Sequence, residues 1–81
     1  MKNILTISIN SPDKMIWEGK GTSVSSVNSM GPFDILPQHA NFITIIENTP
    51  IIIKGLDKVL EYQFPLCLMY ARDNYVYAYT I

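Results

Sequence analysis

The sequence has little of what builds disulfides and metal sites: its 81 residues include one cysteine, Cys67, and one histidine, His39. A single cysteine cannot form a disulfide within the chain, and these two residues fall short of the about four nitrogen or sulfur ligands of a usual zinc site. Cys67 lies between two leucines, and free cysteines are usually buried. We therefore expect a buried thiol in a reducing compartment, and we predict no metal and no other cofactor.

An excess of charge of one sign is also absent. Six basic and seven acidic residues leave a net charge of −1, and the lysines and the arginine are scattered singly. A protein that binds nucleic acid usually concentrates basic residues on one face. The acidic residues are dispersed and form no cluster like a calcium loop. We predict that the chain binds no nucleic acid.

Long apolar segments are missing as well. A signal peptide needs an unbroken apolar stretch of about 7–15 residues, and a spanning helix needs roughly 18; no run here reaches either kind of segment. We expect no direct insertion into a membrane. Hydrophobic residues nevertheless make up 48% of the sequence against 16% charged residues, which favours a packed globule over disorder. The length suits a single domain over residues 1–81.

Motifs for catalysis are weak. Gly19-Lys20-Gly21 lacks the Gly-Lys-Ser/Thr continuation of a phosphate-binding loop. His39, Asp34 and a serine could in principle form a hydrolytic triad, but no nucleophile elbow such as Gly-x-Ser-x-Gly accompanies them. We predict that the chain is not an enzyme.

The first third of the sequence has the pattern of short strands. Residues 5–10 alternate apolar with polar side chains, which is typical of a strand with one solvent-facing side. We expect a return strand at residues 14–18, a turn at residues 19–21 and a further strand at residues 22–27. The spacing of the valines in that last strand indicates a bulge or a strand that changes sheets.

The remaining sequence continues in the same way. Residues 42–46 and 51–53 are short, β-branched runs that suit strands buried on both faces or at a corner of a sandwich. Residues 59–64 are expected to form the second arm of a hairpin, although the spacing around Leu56 also fits a helical turn. About 8–10 short strands separated by proline, glycine and asparagine predict an all-β fold, a small β-sandwich.

Two segments carry a resemblance to a known family. Residues 11–19 are Ser-Pro-Asp-Lys-Met-Ile-Trp-Glu-Gly, and residues 31–40 are Gly-Pro-Phe-Asp-Ile-Leu-Pro-Gln-His-Ala. In this order and spacing they resemble the amino-terminal β-sandwich domain of the epsilon subunit of F-type ATP synthases. The matching positions are Ser11, Pro12, Trp17, Gly19, Gly31, Phe33, Ile35, Leu36, Pro37, His39 and Ala40.

The resemblance implies a central-stalk subunit of the rotor, which couples the gamma shaft to the membrane c-ring during proton- or sodium-driven ATP synthesis. It implies a peripheral position at the cytoplasmic face of the membrane. Epsilon subunits typically add two carboxy-terminal helices that inhibit the enzyme and in some members bind ATP. This sequence has no segment for them, so we expect neither property. The alternatives are a stand-alone interaction module with the same fold and a fragment of a full-length epsilon subunit.

The resemblance also implies which residues meet the c-ring. In the epsilon family the tip of the sandwich, made of the Gly-x-Phe turn and the Pro-x-His-Ala turn, lies toward the polar loops of that ring. Gly31, Pro32, Gln38 and His39 would lie there. His39 has a structural interpretation as well, in which its ring bonds a nearby carbonyl and holds the loop after Pro37 in place.

The last expected strand suggests a second contact surface. Tyr75, Tyr77 and Tyr79 share one side, while the smaller residues at positions 76, 78 and 80 share the other and suit the inside of a thin sandwich. Tyrosine is enriched at interfaces, and the epsilon sandwich packs on gamma, so this stripe is a possible gamma contact. An ordinary cross-strand aromatic ladder is the alternative.

The sequence departs from the family pattern at two sites. Asp34 stands where epsilon subunits usually have glycine, and it would be a poorer residue if that position requires a positive φ. Leu66-Cys67 stands where a Gly-Gly pair is common, and larger side chains there would block close approach by a partner's backbone. The second difference affects the expected geometry of gamma docking rather than the sandwich itself.

Overall fold

The computed structural model describes residues 3–81, which form eight β-strands and no helix. This confirms the predicted all-β class, and the hairpin expected around Leu56 forms without a helical turn. The strands are β1 (Leu5–Asn10), β2 (Met15–Asn28), β3 (Gly31–Ile35), β4 (Phe42–Ile46), β5 (Pro50–Gly55), β6 (Val59–Gln63), β7 (Cys67–Arg72) and β8 (Tyr75–Thr80).

The long strand β2 joins the two layers of the sandwich. Its first half pairs with β1, its second half pairs with β3, and its opposite edge pairs with β5. One layer therefore has the order β4-β7-β8-β1 and the first half of β2, while the other contains β3, the second half of β2, β5 and β6. Buried side chains of both layers belong to one hydrophobic cluster, so the sheet folds over at β2 and encloses the core.

The prediction of a turn at residues 19–21 is wrong, because β2 runs through these residues as one strand of 14 residues. The expected irregularity exists, but it lies between Gly21 and Ser23, where the register with β5 shifts. Gly21 pairs with Leu5 on one edge and Gly55 on the other. A Cβ atom at Gly21 would lie 2.4 Å from the Lys54 carbonyl oxygen. Glycine is thus required here by close approach of β5 rather than by a turn.

The first and last strands meet in the interior of one layer. β8 lies between β7 and β1, and it pairs with β1 in parallel, with Thr6 opposite Tyr75 and Asn10 opposite Tyr79. The β7–β8 hairpin is antiparallel, with Tyr70 opposite Tyr77. Outward-pointing side chains of β7 and β8 therefore form continuous rows across this layer.

The core confirms one expectation about burial and corrects another. Cys67 is buried as predicted, and desolvation raises the pKa of its thiol. Of the two alternatives for residues 42–46, burial on both faces is wrong, since Ile43 and Ile45 are 64% and 56% exposed. β4 is the edge strand of its layer, and only the side that faces the core is covered.

Candidate partner-binding surfaces

The turn after β3 is anchored to the β7–β8 connection. The Gln38 N–H donates to Asn74 Oδ1 at 2.6 Å, and the His39 N–H donates to the Leu36 carbonyl at 3.1 Å. The Asn74 carbonyl in turn accepts a bond from the Thr6 N–H at 2.8 Å. Gln38 and Asn74 both have positive φ, 68° and 65°. Asn74 thereby links three separate segments, and no feature of its local sequence had pointed to this role.

His39 contributes to its own turn and stays accessible. Its Nδ1 atom lies 2.7 Å from the Ala40 carbonyl oxygen, so Nδ1 carries a proton and donates. The ring is exposed and meets the edge of Phe42 at a centroid distance of 5.6 Å, and Phe42 contacts Phe33 at 5.2 Å. This is the arrangement that the structural interpretation of His39 describes, and it leaves the rest of the ring open to solvent.

Gly31 and Pro32 lie at the opposite end of β3 from Gln38 and His39. They belong to the β2–β3 hairpin, in which Asn28 pairs with Gly31. Gly31 has φ 115° with open space where a Cβ would lie, and Pro32 is exposed. The strand β3, about 13 Å long from Gly31 to Ile35, begins with the first pair and precedes the turn that holds the second. The structure therefore places the four predicted tip residues at the start of β3 and in the turn that follows it.

The two departures from the family pattern differ in consequence. Asp34 does not have positive φ; it lies within β3 opposite Ser25, whose hydroxyl donates to the Asp34 carboxylate. Aspartate at this position therefore causes no backbone strain. Leu66 is half-buried and Cys67 is buried beside it, so side chains fill the place where a glycine pair would leave the backbone bare.

The tyrosine stripe has the orientation predicted from the sequence. Tyr75 and Tyr79 are 46% and 47% exposed, whereas the residues at 76, 78 and 80 are buried. Neighbouring rings stack, with centroid distances of 5.9 Å from Tyr75 to Tyr77 and 6.4 Å from Tyr77 to Tyr79. Tyr70 of β7 joins the stack at 6.2 Å from Tyr77. The rings thus form both a cross-strand ladder and an exposed aromatic surface.

This aromatic surface continues into an apolar one that the sequence did not predict. Ile43 lies opposite Tyr70, and Ile45 lies opposite Leu68, which is itself opposite Tyr79. A run of apolar residues indicates burial on both sides, and only the strand order shows that β4 lies at an edge. We call the outward-pointing aliphatic and aromatic side chains of β4, β7 and β8 the outer face; its members are Ile43, Ile45, Leu68, Tyr70, Tyr75, Tyr77 and Tyr79.

An open cleft of about 670 Å³ borders the outer face at β4. It separates β4 from the β2–β3 hairpin, and Val27, 41% exposed, lines it together with Ile43 and Ile45. Asn28 Nδ2 donates to Thr44 Oγ1 at 2.9 Å and holds the hairpin beside β4. The cleft extends the exposed apolar surface around the edge of the layer.

The described part of the chain contains neither a metal-ligand cluster nor a membrane-spanning helix. Within residues 3–81, no three histidine, cysteine, aspartate or glutamate side chains come together as metal ligands. The same residues contain no helix long and apolar enough to cross a membrane.

Known proteins share this fold. A chain of the Euglena gracilis mitochondrial ATP synthase, from a cryo-EM structure of OSCP/F1/c-ring in rotational state 1, matches with a TM-score of 0.87 and 12% identity, over 96% of this chain and 51% of that chain. A chain of the Tetrahymena thermophila mitochondrial ATP synthase, from a cryo-EM structure of the central stalk and c-ring, matches with a TM-score of 0.80 and 10% identity, over 100% of this chain and 64% of that chain. No curated protein sequence matches.

The matched chains are longer than this one, which spans about half of the first and less than two thirds of the second. Identities this low show a shared fold. The family is shown by a sequence model for the β-sandwich domain of the ATP synthase delta/epsilon chain, which matches residues 4–64. That range contains both segments that carried the resemblance. The chain therefore belongs to the ATP synthase delta/epsilon chain, beta-sandwich domain family.

Proposed function

We propose that this chain is a non-catalytic subunit of the rotor of a rotary ATP synthase, where it bridges the gamma shaft and the membrane c-ring. The observation that carries the proposal is the family match over residues 4–64. The subunit would be a peripheral part of the complex at the cytoplasmic face of the membrane. Its work would be mechanical, namely to hold two partners in a fixed relation while torque passes from one to the other.

The c-ring contact is assigned to the loops at the two ends of β3. Gly31 and Pro32 begin β3 beside the β2–β3 turn, and Gln38 and His39 lie in the turn that follows the strand. A ring of identical subunits presents the same polar loop repeatedly, so two contact points at the two ends of β3 can engage neighbouring copies of that loop. The bond from Gln38 to Asn74 at 2.6 Å fixes the second loop to the sandwich, which a contact under load requires.

The gamma contact is assigned to the tyrosine stripe. Tyr75 and Tyr79 are half-exposed, and their rings are held in place by stacking on Tyr77. Rings that are already ordered lose little conformational entropy on binding. The stripe lies on β8, in the interior of its layer, where the backbone is paired on both sides. Force applied there would therefore act on a rigid part of the domain.

Co-expression with the gamma subunit of the same genome, followed by size-exclusion chromatography, tests the proposal. We expect a one-to-one complex for the natural chain. The double substitution Tyr75→Ser and Tyr79→Ser should abolish it, whereas the control pair Leu56→Ser and Val59→Ser, at 60% and 63% exposed positions of the β5–β6 hairpin, should not. Separate elution of folded gamma and the natural chain would favour a stand-alone interaction module instead. Equal loss in both double variants would remove the tyrosine stripe as the gamma contact.

Cysteine cross-linking tests the c-ring contact independently. In a Cys67→Ala background, we expect Pro32→Cys and Gln38→Cys to cross-link to the polar loop of the c-ring in assembled enzyme. Asp57→Cys, at the exposed tip of the β5–β6 hairpin, serves as the control. Efficient cross-linking from Asp57→Cys and none from the other two would show that the opposite part of the sandwich faces the ring.

A further inference from the structure

The outer face is large for a single small domain. Five of its members, Ile43, Ile45, Leu68, Tyr75 and Tyr79, are between 39% and 64% exposed. A half-exposed side chain of this size presents on the order of 100 Å², so the whole face offers roughly 600 Å². This lies at the upper end of the largest apolar patch on a typical monomer. It approaches the about 800 Å² that each partner buries in a standard interface.

Formal charge lies only at the margins of this face. Arg72 is the one charged residue among the outward positions of β4, β7 and β8, and it lies at the end of β7. Glu47 follows the end of β4 and borders the same cleft as Ile43 and Ile45. Because β4 and β7 are antiparallel, with Phe42 opposite Ala71, Arg72 and Glu47 lie at opposite ends of the face.

This distribution is self-complementary. A two-fold axis that lies in the interface and runs across the strands exchanges the two ends of the face. The row containing Ile43 then packs on the row containing Ile45 of a second copy, and apolar groups meet apolar groups. The same operation brings Glu47 of each copy to the end at which Arg72 of the other copy lies. Arg72 already contacts Asp73 through Nε at 3.4 Å and bonds the side chain of Tyr70. A guanidinium group has more N–H donors than these two contacts use, so it can also bond a second carboxylate.

We infer that a second copy of this chain covers the outer face of the free protein, giving a two-fold symmetric dimer. The inference does not depend on the proposed rotor function. The tyrosine stripe belongs to the outer face, so a gamma subunit that binds the stripe and a second copy of the chain exclude each other. Dimerisation would keep the apolar face from water, and from non-specific contacts, until a partner displaces the second copy.

Sedimentation velocity of the purified chain over a wide concentration range tests the inference. We expect a reversible monomer–dimer equilibrium. Ile43→Lys should raise the dissociation constant at least about 100-fold, because symmetry places the unpaired charge in the interface twice. Val59→Lys is the matched control, as Val59 is 63% exposed against 64% for Ile43 and also lies on an edge strand; it should dimerise like the natural chain. A natural chain that is monomeric throughout, or equal weakening by both substitutions, would overturn the inference.

A charge exchange tests the orientation of the two copies. Glu47→Arg and Arg72→Glu should each weaken the dimer about 5- to 10-fold, since each brings like charges together at both ends. The double variant restores opposite charges and should return to within about twofold of the natural chain. Additive weakening in the double variant would rule out the proposed two-fold arrangement. Circular dichroism of each variant verifies that the fold is retained.

Discussion

Replacing Gly21 by alanine should destabilise this protein strongly, although the change adds one methyl group. Along β2, the pairing with β1 ends at Gly21 and the pairing with β5 begins there, so its backbone is paired on both edges. The added Cβ would lie 2.4 Å from the Lys54 carbonyl oxygen and 3.2 Å from Ile7 Cδ1. The carbonyl belongs to a paired strand, so it cannot move away without disturbing the ladder between β2 and β5.

Three contributions determine how much Gly21→Ala should lower the free energy of unfolding. Overpacking of a fixed site costs about 1–3 kcal/mol, and each ladder hydrogen bond that weakens costs about 0.5–1.5 kcal/mol. Replacing glycine also restricts the unfolded chain, which offsets about 0.4–1 kcal/mol. The net loss is about 2 kcal/mol or more, which for a domain of this size lowers Tm by about 8–16 °C.

Gly19→Ala is the matched comparison, on the same strand two residues earlier. There the added Cβ would meet the indole of Trp17 at 2.5 Å, and Trp17 is only half-buried, so its ring can swing outward. We expect Gly19→Ala to lower the free energy of unfolding by about 1 kcal/mol or less. Urea titrations followed by circular dichroism measure both values. A Gly21→Ala variant that unfolds within about 0.5 kcal/mol of the natural chain, or no earlier than Gly19→Ala, would refute the reasoning.

Three further predictions concern the core and the turn that carries His39. Burial raises the pKa of the Cys67 thiol, so on raising the pH the unfolded chain loses the thiol proton at a lower pH than the folded chain does. The free energy of unfolding should therefore fall as pH rises above about 8.5. In urea titrations, Cys67→Ala should flatten this decline. Asn74→Ala removes the bond to the Gln38 N–H and forces alanine into a positive φ, so it should cost about 1–3 kcal/mol, with Asn74→Gly intermediate. Ile53→Ala, at a fully buried position, should cost about 2–5 kcal/mol, whereas Val59→Ala, at a 63% exposed position outside the outer face, should stay within about 0.5 kcal/mol in the same assay.

The strands that were predicted well from the sequence are those with one solvent-facing side. Residues 5–10 and 75–80 alternate because one side faces the core and the other faces solvent, and that period is visible in any window of this length. The glycines at 19 and 21 were interpreted as a turn because turns are the commonest use of closely spaced glycines. Gly21 is needed because β5 approaches it closely, at Lys54, which lies more than 30 positions away in the sequence, whereas Gly19 packs under the ring of nearby Trp17.

The candidate surfaces were predictable only in part. The side of β8 that carries the tyrosines followed from alternation, and its exposure is confirmed. The exposure of Ile43 and Ile45 could not be read from residues 42–46, because strand order decides whether an apolar strand has one covered side or two. The positions of Gly31 and Gln38 at the two ends of β3 could not be read from the sequence, because the resemblance places both turns at the tip without giving the strand between them.

The place of β8 between β1 and β7 has a consequence for biosynthesis. During translation β1 emerges first and β8 emerges last of the eight strands, yet β8 is the neighbour that β1 needs on its outer edge. Until Thr80 has left the ribosome, β1 and β7 present unpaired edges that can recruit other chains. The layer is completed when β8 pairs with β1, which is distant in the sequence. This step is slow because the chain loses the entropy of loop closure before the new contacts stabilise it. Nascent chains of this protein are therefore expected to depend on chaperones until the final strand is released.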